Sequence, residues 1–447
     1  MEIDKELINN ILSHLSSRKG LKSEVFYSSA RNITAEAREG TVDALERAES
    51  SGLSIRVIDG KRHGFSYTND VSKWREAVDM AAATAMFTEE DEHWSFRGNG
   101  GQYEGVMIYD DAAAAVAEAD IVDMALDVER AALELDDRIK KVRKASASVS
   151  SGELYIANTE GLSGGYRFTS CTLSAMAMAE SSGDSQIGWE YEYDRVLSAI
   201  SPKRVGAGAA ERALGLLNAK TFKSVKVPVV IENSVAADFL SLLASSFSSE
   251  NVQKGKSILA GKLSQQIVSD KLNIIDNALL EGKAGSRPFD GEGVPSQRNA
   301  LVMDGVLKGF LYNLYTASKG GGVSTGSAQR GGISGMPTVG VSNLYIEPTS
   351  SALVMTVDEM FSQAGECLFV TDAMGVHMAN RITGEFSVGV SGMWVEGGKK
   401  AYPVKEAVIS GNFLDMFKDV EAVGSDLRFY GKIGSPSLLI RHMDVSG

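Results

Sequence analysis

The alternation of apolar and polar residues predicts that the first part of the chain contains both helices and strands. Over 3–18, apolar residues recur every three or four positions, as on one face of a helix, and Gly20 is well placed to end it. A period of two then predicts strands over 23–29, 33–38 and 53–59, followed by the hairpin turn Asp59-Gly60 and a returning strand over 61–67.

Helical periodicity returns in two Ala-rich segments with charged faces, about 72–87 and 112–137. Alternating segments then predict an antiparallel meander between 139 and 199, with strands over 139–150, 153–158, 165–180 and 186–194. Ser201-Pro202 opens a further helix that runs to about Asn218, since Ser is favoured at the N-cap and Pro at the first helical position.

A domain boundary is predicted near 219–225. Beyond it, the pattern indicates a buried strand over 225–231, a helix over 234–249, and mostly strands and loops from 265 onward, with a hairpin turn at Asp304-Gly305. Because helices and strands follow one another without regular β-α-β alternation, we predict an α+β fold with mixed helices and largely antiparallel sheets. We expect two domains, an N-terminal α+β domain over 1–220 and a strand-rich C-terminal domain over 221–447.

The composition of the chain indicates its cellular environment and excludes some classes of binding partner. The chain has 447 residues, with 45 Lys and Arg against 58 Asp and Glu, hence a net charge of −13. No concentrated basic patch is visible, so a nucleic acid partner is not expected. Cys171 and Cys367 are too few for a disulfide framework, which favours a reduced, cytoplasmic protein. The charged N-terminus has no apolar segment of the kind found in signal peptides, so none is expected, and because no apolar run reaches the ~18 residues of a membrane span, no membrane partner is expected either.

A metal site on this chain is not expected either. Zinc ligands carried by one helix must recur on adjacent turns of one face. The histidines are too widely spaced for that, because no two lie closer than 30 residues: His14, His63, His93, His377 and His442.

Three other patterns are weaker candidates for chemistry. Ser324 stands in a Gly-x-Ser-x-Gly sequence, but that nucleophile motif needs a helix immediately after it, and the residues that follow do not begin one. Gly255-Lys256-Ser257 lacks the first glycine of a P-loop. Asp290 and Glu292 are either a general acid/base or weak metal pair or, as is commoner, solvated or backbone-capping residues of a Gly-rich turn.

The run 319–335 contains seven glycines and leaves two interpretations open. It is either a mobile surface loop or a lid that contacts substrate.

The last third of the chain carries a distinctive series of short motifs. Gly-x-His at 375–377 is followed by Thr-Gly-Glu-Phe-Ser at 383–387, and later by Trp-Val-Glu-Gly-Gly, Tyr-Pro-Val and Gly-Ser-Asp. In this order they resemble the C-terminal signature of the TldD/PmbA family, proteins once called modulators of DNA gyrase and now classed as metallopeptidases. The form at 375–387 is similar to that of the PmbA-like, or TldE-like, branch.

The resemblance implies that this chain lacks the metal chemistry of the family. In zinc-bearing members, a strand leads into a helix with His-Glu-x-x-x-His, and the corresponding segment here, 229–240, has no histidine. The third zinc ligand of such members is a Cys, and Cys367, the nearest Cys, is expected to be a small buried residue of a strand. The resemblance therefore implies no cofactor on this chain and zinc on a partner subunit.

The same resemblance marks a candidate substrate-contacting or interface region. The turn 289–297 resembles the Asp-Asp-Glu-Gly turn of the family, with Gly291 in place of the second Asp, and 325–330 resembles its Thr-Gly-x-x-x-Arg. The polar residues of 375–389 either contact a partner or satisfy backbone groups in a tight loop. The candidates are Asp290, Glu292, Thr325, Arg330, Asn343, His377 and Asn380.

By resemblance, the chain is expected to be a PmbA/TldE-like subunit of a cytosolic two-component zinc metallopeptidase that degrades or processes unfolded or leader peptides. The expected partner is a TldD-like zinc-bearing chain in a heterodimer, or a second copy in a homodimer, and this chain would help to bind the peptide substrate. Two alternatives stay open: a stand-alone hydrolase with a non-zinc site at Asp290 and Glu292 or at Ser324, and a regulatory protein that modulates DNA gyrase indirectly.

Overall fold

A computed structural model describes residues 5–18, 20–98, 102–221 and 223–447 of the chain. Its helices are α1 Lys5–Ser16, α2 Trp74–Ala85, α3 Asp111–Ala115, α4 Glu118–Leu133, α5 Pro202–Gly215, α6 Asn233–Ala244, α7 Ser249–Gln253, α8 Leu314–Gly320, α9 Val357–Ala364 and α10 Phe413–Lys418. The predicted helix over 3–18 begins outside the described residues, and its described part is α1.

The strands of the first half are β1 Leu21–Arg38, β2 Thr41–Asp59, β3 Arg62–Thr68, β4 Ile139–Asn158, β5 Ser163–Ser181 and β6 Asp184–Asp194. Those of the second half are β7 Val225–Ile231, β8 Leu272–Asn277, β9 Arg298–Met303, β10 Val306–Leu307, β11 Ala328–Gln329, β12 Thr338–Val339, β13 Leu344–Pro348, β14 Val354–Met355, β15 Cys367–Met374, β16 Glu385–Glu396, β17 Lys399–Asn412, β18 Val420–Gly424, β19 Arg428–Tyr430, β20 Ile433–Ser435 and β21 Leu438–Ser446.

The first half is built on one six-stranded antiparallel sheet with the order β3-β2-β1-β4-β5-β6. Helices α1 and α2 pack on one end of a sheet face, around Val25, Leu53 and Ile55. Helices α4 and α5 pack on the other end, where alanines such as Ala145 and Ala177 let helix and sheet lie close together. Both helix pairs therefore cover parts of the same long sheet.

The second half contains a closed ring of strands. Each of β7, β15, β16, β17 and β21 pairs with two others of this set, and β18 and β14 extend the sheet beyond β21. A second sheet, with the order β10-β9-β8-β13-β20-β19, shares a large core with the ring and with α6. Phe239 of α6 packs edge to face on Phe386 of β16 in this core. The ring thereby holds α6 in a fixed position.

The α+β class predicted from the sequence is confirmed, since most strand pairs are antiparallel and the helices do not alternate regularly with the strands. The buried strand over 225–231 is present as β7. Ser201 caps α5 by accepting from the Arg204 amide at 3.4 Å, as its sequence predicted. Asp304 and Gly305 both have positive φ, as a tight hairpin turn requires.

Several predicted elements have different bounds. The strands expected over 23–29 and 33–38 form the single strand β1, and those expected over 139–150 and 153–158 form β4. At the predicted break, Arg31 lies opposite Glu49 of β2 on one side and Ser151 of β4 on the other. Pairing on both sides keeps this polar segment extended, which no local pattern could indicate.

Two predicted helices are divided. The segment 112–137 forms α3 and α4, because Val116 and Ala117 between them have extended backbone. The helix expected over 234–249 ends as α6 at Ala244, and α7 follows after a short turn. Among the described residues, no helix combines the length and the apolar character that crossing a bilayer requires. The division into domains at 220/221 stays a prediction.

Candidate functional site

Two of the candidate residues, Glu292 and Arg330, meet in a buried charge cluster between the two halves of the chain. The Glu292 carboxylate lies 3.4 Å from the guanidinium of Arg56 in β2, which lies 3.4 Å from the Glu24 carboxylate in β1. Arg330 contacts Glu24 at 2.5 Å, and its Nε donates to the Gly291 carbonyl at 2.6 Å. The cluster thus ties the first sheet to the C-terminal half.

Asp290 organises the backbone beside this cluster. Its carboxylate accepts hydrogen bonds from the amides of Glu292, Val294 and Ala328 at 2.8 to 2.9 Å. Burial raises the pKa of the Asp290 carboxyl. Burial also raises the pKa of Glu292, and the Asp290 charge adds to this effect while Arg56 opposes it. The expectation of solvated acids is wrong, because both side chains are buried, and the backbone-capping role is observed for Asp290.

Two further candidates bond to neighbouring backbone. Thr325 Oγ1 accepts from the Tyr312 amide at 2.8 Å. Asn343 is fully buried, donates to the Asn277 carbonyl at 2.7 Å and accepts from the Gly285 amide at 2.8 Å. Both side chains therefore hold loops in place.

The glycine-rich run 319–335 is only partly exposed, and some of its side chains form hydrogen bonds with the rest of the chain. Residues 321–323 and 331–332 are exposed, whereas 326–328 between them are buried. Ser324 follows helix α8, and its hydroxyl donates to the Tyr312 carbonyl at 3.2 Å. A nucleophile motif of this type needs a strand before the serine and a helix after it, so Ser324 does not occupy such a turn.

His377 and Asn380 lie in an exposed loop, away from the charge cluster. The Asn380 side chain accepts from the amides of Ile382 and Thr383 at 2.9 and 3.1 Å, which is the backbone-satisfying role that the sequence left open. His377 is exposed next to Met378, whose side chain is 82% exposed. The structure therefore divides the candidates between a buried cluster, two loop anchors and a surface loop.

A groove runs along the outer edge of β6, a place that sequence reasoning did not indicate. β6 is the last strand of its sheet, so no other described strand pairs with its outer side. Helix α5 forms one wall, and a Cβ at Gly188 would lie 2.3 Å from the Ala209 carbonyl oxygen, so glycine permits this close approach. Residues of the C-terminal half form the opposite wall.

The outer edge of β6 offers main-chain hydrogen-bonding groups to the groove. In an antiparallel sheet, alternate residues of an edge strand direct both N–H and C=O away from the sheet. The Tyr191 N–H donates to the carboxylate of its neighbour Glu190, and its C=O accepts from Arg428 across the groove, so Tyr191 is one of the outward residues. By alternation, Ile187, Trp189 and Tyr193 are outward too. The edge can therefore accept a further strand.

Two adjoining cavities occupy the groove. One has a volume of about 420 Å³ and lies between apolar side chains of β6, including Trp189, and Phe369 and Met393 of the C-terminal half. The other, of about 520 Å³, is lined by Tyr191, Tyr193 and Phe429 among others. Both volumes are in the range of about 300–1,000 Å³ that is typical of ligand pockets.

Ion pairs across the groove join α5, β6 and the C-terminal half. Arg212 of α5 contacts Glu232, just before α6, at 2.8 Å and Glu190 of β6 at 3.4 Å. Arg428 of β19 contacts Glu190 at 2.5 Å. Burial alone would raise the pKa of Glu190, but the hydrogen bonds from Arg428 and from the Tyr191 amide hold it below its usual value. Glu190 is therefore charged at neutral pH.

The donor set around α6 does not fit a zinc ion. Within the described part of the chain, no three His, Cys, Asp or Glu side chains are grouped so that they could hold a metal. Cys367 is fully buried in β15, and burial raises the pKa of its thiol to about 12, which disfavours the thiolate that zinc needs.

The comparisons with known proteins agree with this fold. Models of the PmbA/TldA metallopeptidase domain 1, central domain and C-terminal domain match residues 23–87, 111–217 and 224–447. The chain is 30% identical to the metalloprotease PmbA of Escherichia coli O157:H7, over 100% of this chain and 98% of the relative. This chain belongs to the PmbA/TldD metallopeptidase family.

Solved structures of the family superpose closely on this PmbA/TldD family member. A proposed modulator of DNA gyrase from Thermotoga maritima MSB8 aligns with a TM-score of 0.92 at 28% identity, covering 99% of this chain and 100% of that one. TldE from Thermococcus kodakarensis shares the fold, with a TM-score of 0.89 at 21% identity and coverage of 99% and 100%. The family resemblance seen in the motifs is therefore confirmed.

Sequence reasoning missed the charged partners of the candidate residues in this family member. Arg56 stands between Ile55 and Val57 in the alternating segment 53–59, and Glu24 precedes the apolar run Val25-Phe26-Tyr27. A charged residue inside a buried strand usually has a buried counterion, so these two positions carried a usable signal. Arg212 and Glu190 carried none, because they occur in amphipathic elements where charges are expected.

Proposed function

We propose that this chain is the peptide-holding subunit of a two-component zinc peptidase, in which a TldD-like partner chain carries the metal. An extended peptide lies along the outer edge of β6 and pairs with its backbone. The zinc-bearing chain activates a water for hydrolysis, and this chain holds the substrate. The exposed loop that carries His377 and Asn380 is proposed as a contact with the partner chain.

The observation that carries the proposal is the free edge of β6 inside a groove. Peptides commonly bind by adding a strand to an exposed sheet edge, where main-chain hydrogen bonds give affinity and side-chain pockets give specificity. Here the edge of β6 lines both cavities, and the walls supply apolar and charged side chains. By contrast, Asp290 and Glu292 are buried and bonded to backbone and to arginine, which counts against a stand-alone hydrolase at that turn.

Proline at position 189 tests strand addition directly. Trp189→Pro removes an outward N–H without removing a bond to β5, because proline is tolerated at strand edges whose N–H faces solvent. We expect at least about 10-fold weaker calorimetric binding of an end-capped alternating Val-Thr octapeptide, since two ladder bonds are disturbed. Trp189→Val is the matched control, because it changes the side chain and keeps the N–H. Equal affinity of Trp189→Pro and Trp189→Val would refute binding along β6.

The partner is tested by purifying the tagged chain from its own cells. We expect an equimolar chain with His-Glu-x-x-x-His and one zinc per pair. Stoichiometric zinc in the isolated tagged chain would contradict the assignment of the metal to the partner.

A further inference from the structure

The outward main-chain groups of Tyr191 are already bonded by an ion pair. The Glu190 carboxylate accepts from the Tyr191 amide at 2.8 Å, and the Arg428 guanidinium donates to the Tyr191 carbonyl at 2.5 Å. The same two side chains contact each other at 2.5 Å. Together they make the two hydrogen bonds that an added strand would make at this residue.

This ion pair is held firmly from both sides. Arg212 of α5 lies 3.4 Å from the second oxygen of Glu190. The Arg428 guanidinium lies over the ring of Tyr430, 5.0 Å from its centre. Neighbours therefore orient both members, so that a peptide would have to break two ionic contacts and the contact of Arg428 with the Tyr430 ring to displace them.

The position of the pair divides the groove. The first cavity borders β6 from Ile187 to Glu190, and the second borders it from Glu190 to Tyr193. A strand that pairs with Ile187 and Trp189 therefore meets the Glu190–Arg428 pair before it can reach Tyr193. At a rise of about 3.3 Å per residue, the first cavity accommodates about four residues of an extended chain.

We propose that the Glu190–Arg428 pair is a stop that ends strand addition at Trp189, so that the groove accepts an extended peptide segment of limited length. This inference rests on the proposed binding of peptide along β6. The bound segment carries apolar side chains where it faces Trp189, Phe369 and Met393, and polar ones where it faces the charged residues of the same cavity, among them Glu211, Asp372 and Lys400. The stop determines how far a substrate extends past the paired residues, and Glu190 and Arg428 are specificity-determining residues.

A length series of peptides tests the stop. End-capped alternating Val-Thr peptides of four, six and eight residues are titrated calorimetrically into the wild-type chain, Arg428→Met and Glu190→Ala/Arg428→Met. In the wild type we expect the affinity to change less than about 2-fold from four to eight residues. In the double variant, which frees both groups of Tyr191, we expect a gain of about 10-fold for eight residues, because two more ladder bonds form.

Two controls separate the stop from general effects on the groove. Arg428→Lys keeps a cation and should retain the plateau. Arg204→Met removes another guanidinium from the second cavity, one that bonds Glu192 at 2.6 Å and not the outward groups of Tyr191, and should also retain it. Unchanged melting temperatures establish that the variants fold.

The outcomes distinguish the two proposals. If the wild type already gains affinity with length as much as the double variant does, the stop is refuted while strand addition stands. If the tetrapeptide and octapeptide bind neither protein, strand addition along β6 is refuted, and the stop falls with it.

Discussion

Two ion-pair networks join the halves of this chain, and they differ chiefly in their exposure to water. In the charge cluster of Glu24, Arg56, Glu292 and Arg330, the paired side chains are 1 to 2% exposed. In the groove network of Glu190, Arg212, Glu232 and Arg428, they are 12 to 33% exposed. The residue types are the same, yet the second network borders two cavities that a ligand can enter.

Burial, rather than residue type, therefore distinguishes an ion-pair network that stabilises the fold from one that borders a binding site. Charges removed from water are costly unless they are paired, and each member of the buried cluster contacts an opposite charge, although Glu24 Oε2, Arg56 Nε and Arg330 Nη1 have no hydrogen-bond partner of their own. Charges at a groove keep part of their hydration, so they can border a cavity without the full cost of burial. The family resemblance pointed to the first network, whereas the free strand edge lies beside the second.

The largest expected loss of stability comes from a substitution that removes one ion pair of the buried cluster. Arg330→Met leaves the Glu24 carboxylate with one partner fewer in an apolar setting beside Phe26. We expect a loss of about 3–5 kcal/mol in the free energy of unfolding, measured by urea denaturation. Arg298→Met is the control, because its exposed pair with Glu347 contributes less than about 1 kcal/mol. Equal losses of unfolding free energy in Arg330→Met and Arg298→Met would show that the buried cluster stabilises the fold no more than an exposed ion pair does.

Acidic pH should act on the same region through His63. Burial, with the charges of Arg56 and Arg330, lowers the pKa of His63 from 6.5 to about 3. The unfolded chain binds this proton more readily, so stability is complete above pH 6.5 and falls as the pH drops towards 3. The loss is about 1.4 kcal/mol per pH unit within that window. His63→Phe should show a correspondingly flatter profile of unfolding free energy between pH 6.5 and 4, and an unchanged slope would contradict this assignment.

Breaking the groove network should lower the free energy of unfolding less than breaking the buried cluster does. It should, however, weaken peptide binding. Arg212→Met removes the bond to Glu232 and the support of Glu190, at an expected cost of about 1–2 kcal/mol in unfolding free energy. Peptide affinity should fall about 10-fold, because the groove loses its ordered wall. Calorimetry and urea denaturation measure the two effects. Lys203→Met, on the exposed side of the same helix, should change neither.

The smallest effect on stability is expected in the exposed loop. Met378→Ser should change the unfolding free energy by less than about 0.5 kcal/mol, because the side chain is 82% exposed. If this loop contacts the partner chain as proposed, the variant should still recover less of it in co-purification. Full recovery together with unchanged stability would place the contact elsewhere.

How much of the site could be predicted depends on how far apart its residues lie along the chain. The turn 289–297 and the arginine after it were found from the family resemblance. Their partners were not, since Arg56 is separated from Glu292 by 236 positions and Glu24 from Arg330 by 306. No periodicity links such positions, because the contact depends on how the sheet of the first half meets the C-terminal half.

The sequence by itself determined the elements whose signals are local. Alternation, capping residues and turn residues determined β7, α5 and the hairpin between β2 and β3, because each depends on neighbours a few positions away; the turn residues of this hairpin are Gly60 and Lys61, one position later than the predicted Asp59-Gly60. The ordered motifs after 375 determined the family, and the spacing of the histidines ruled out a histidine pair on one helix.

Only the tertiary structure decided which charged residues are buried together and which border a groove. It also decided that β6 is the edge of its sheet, because strand order follows from pairings between distant segments. A free edge has no signature in the strand that forms it, since β6 alternates as an inner strand would. The physical reason is that burial and hydrogen-bond satisfaction belong to the folded assembly and not to the residue.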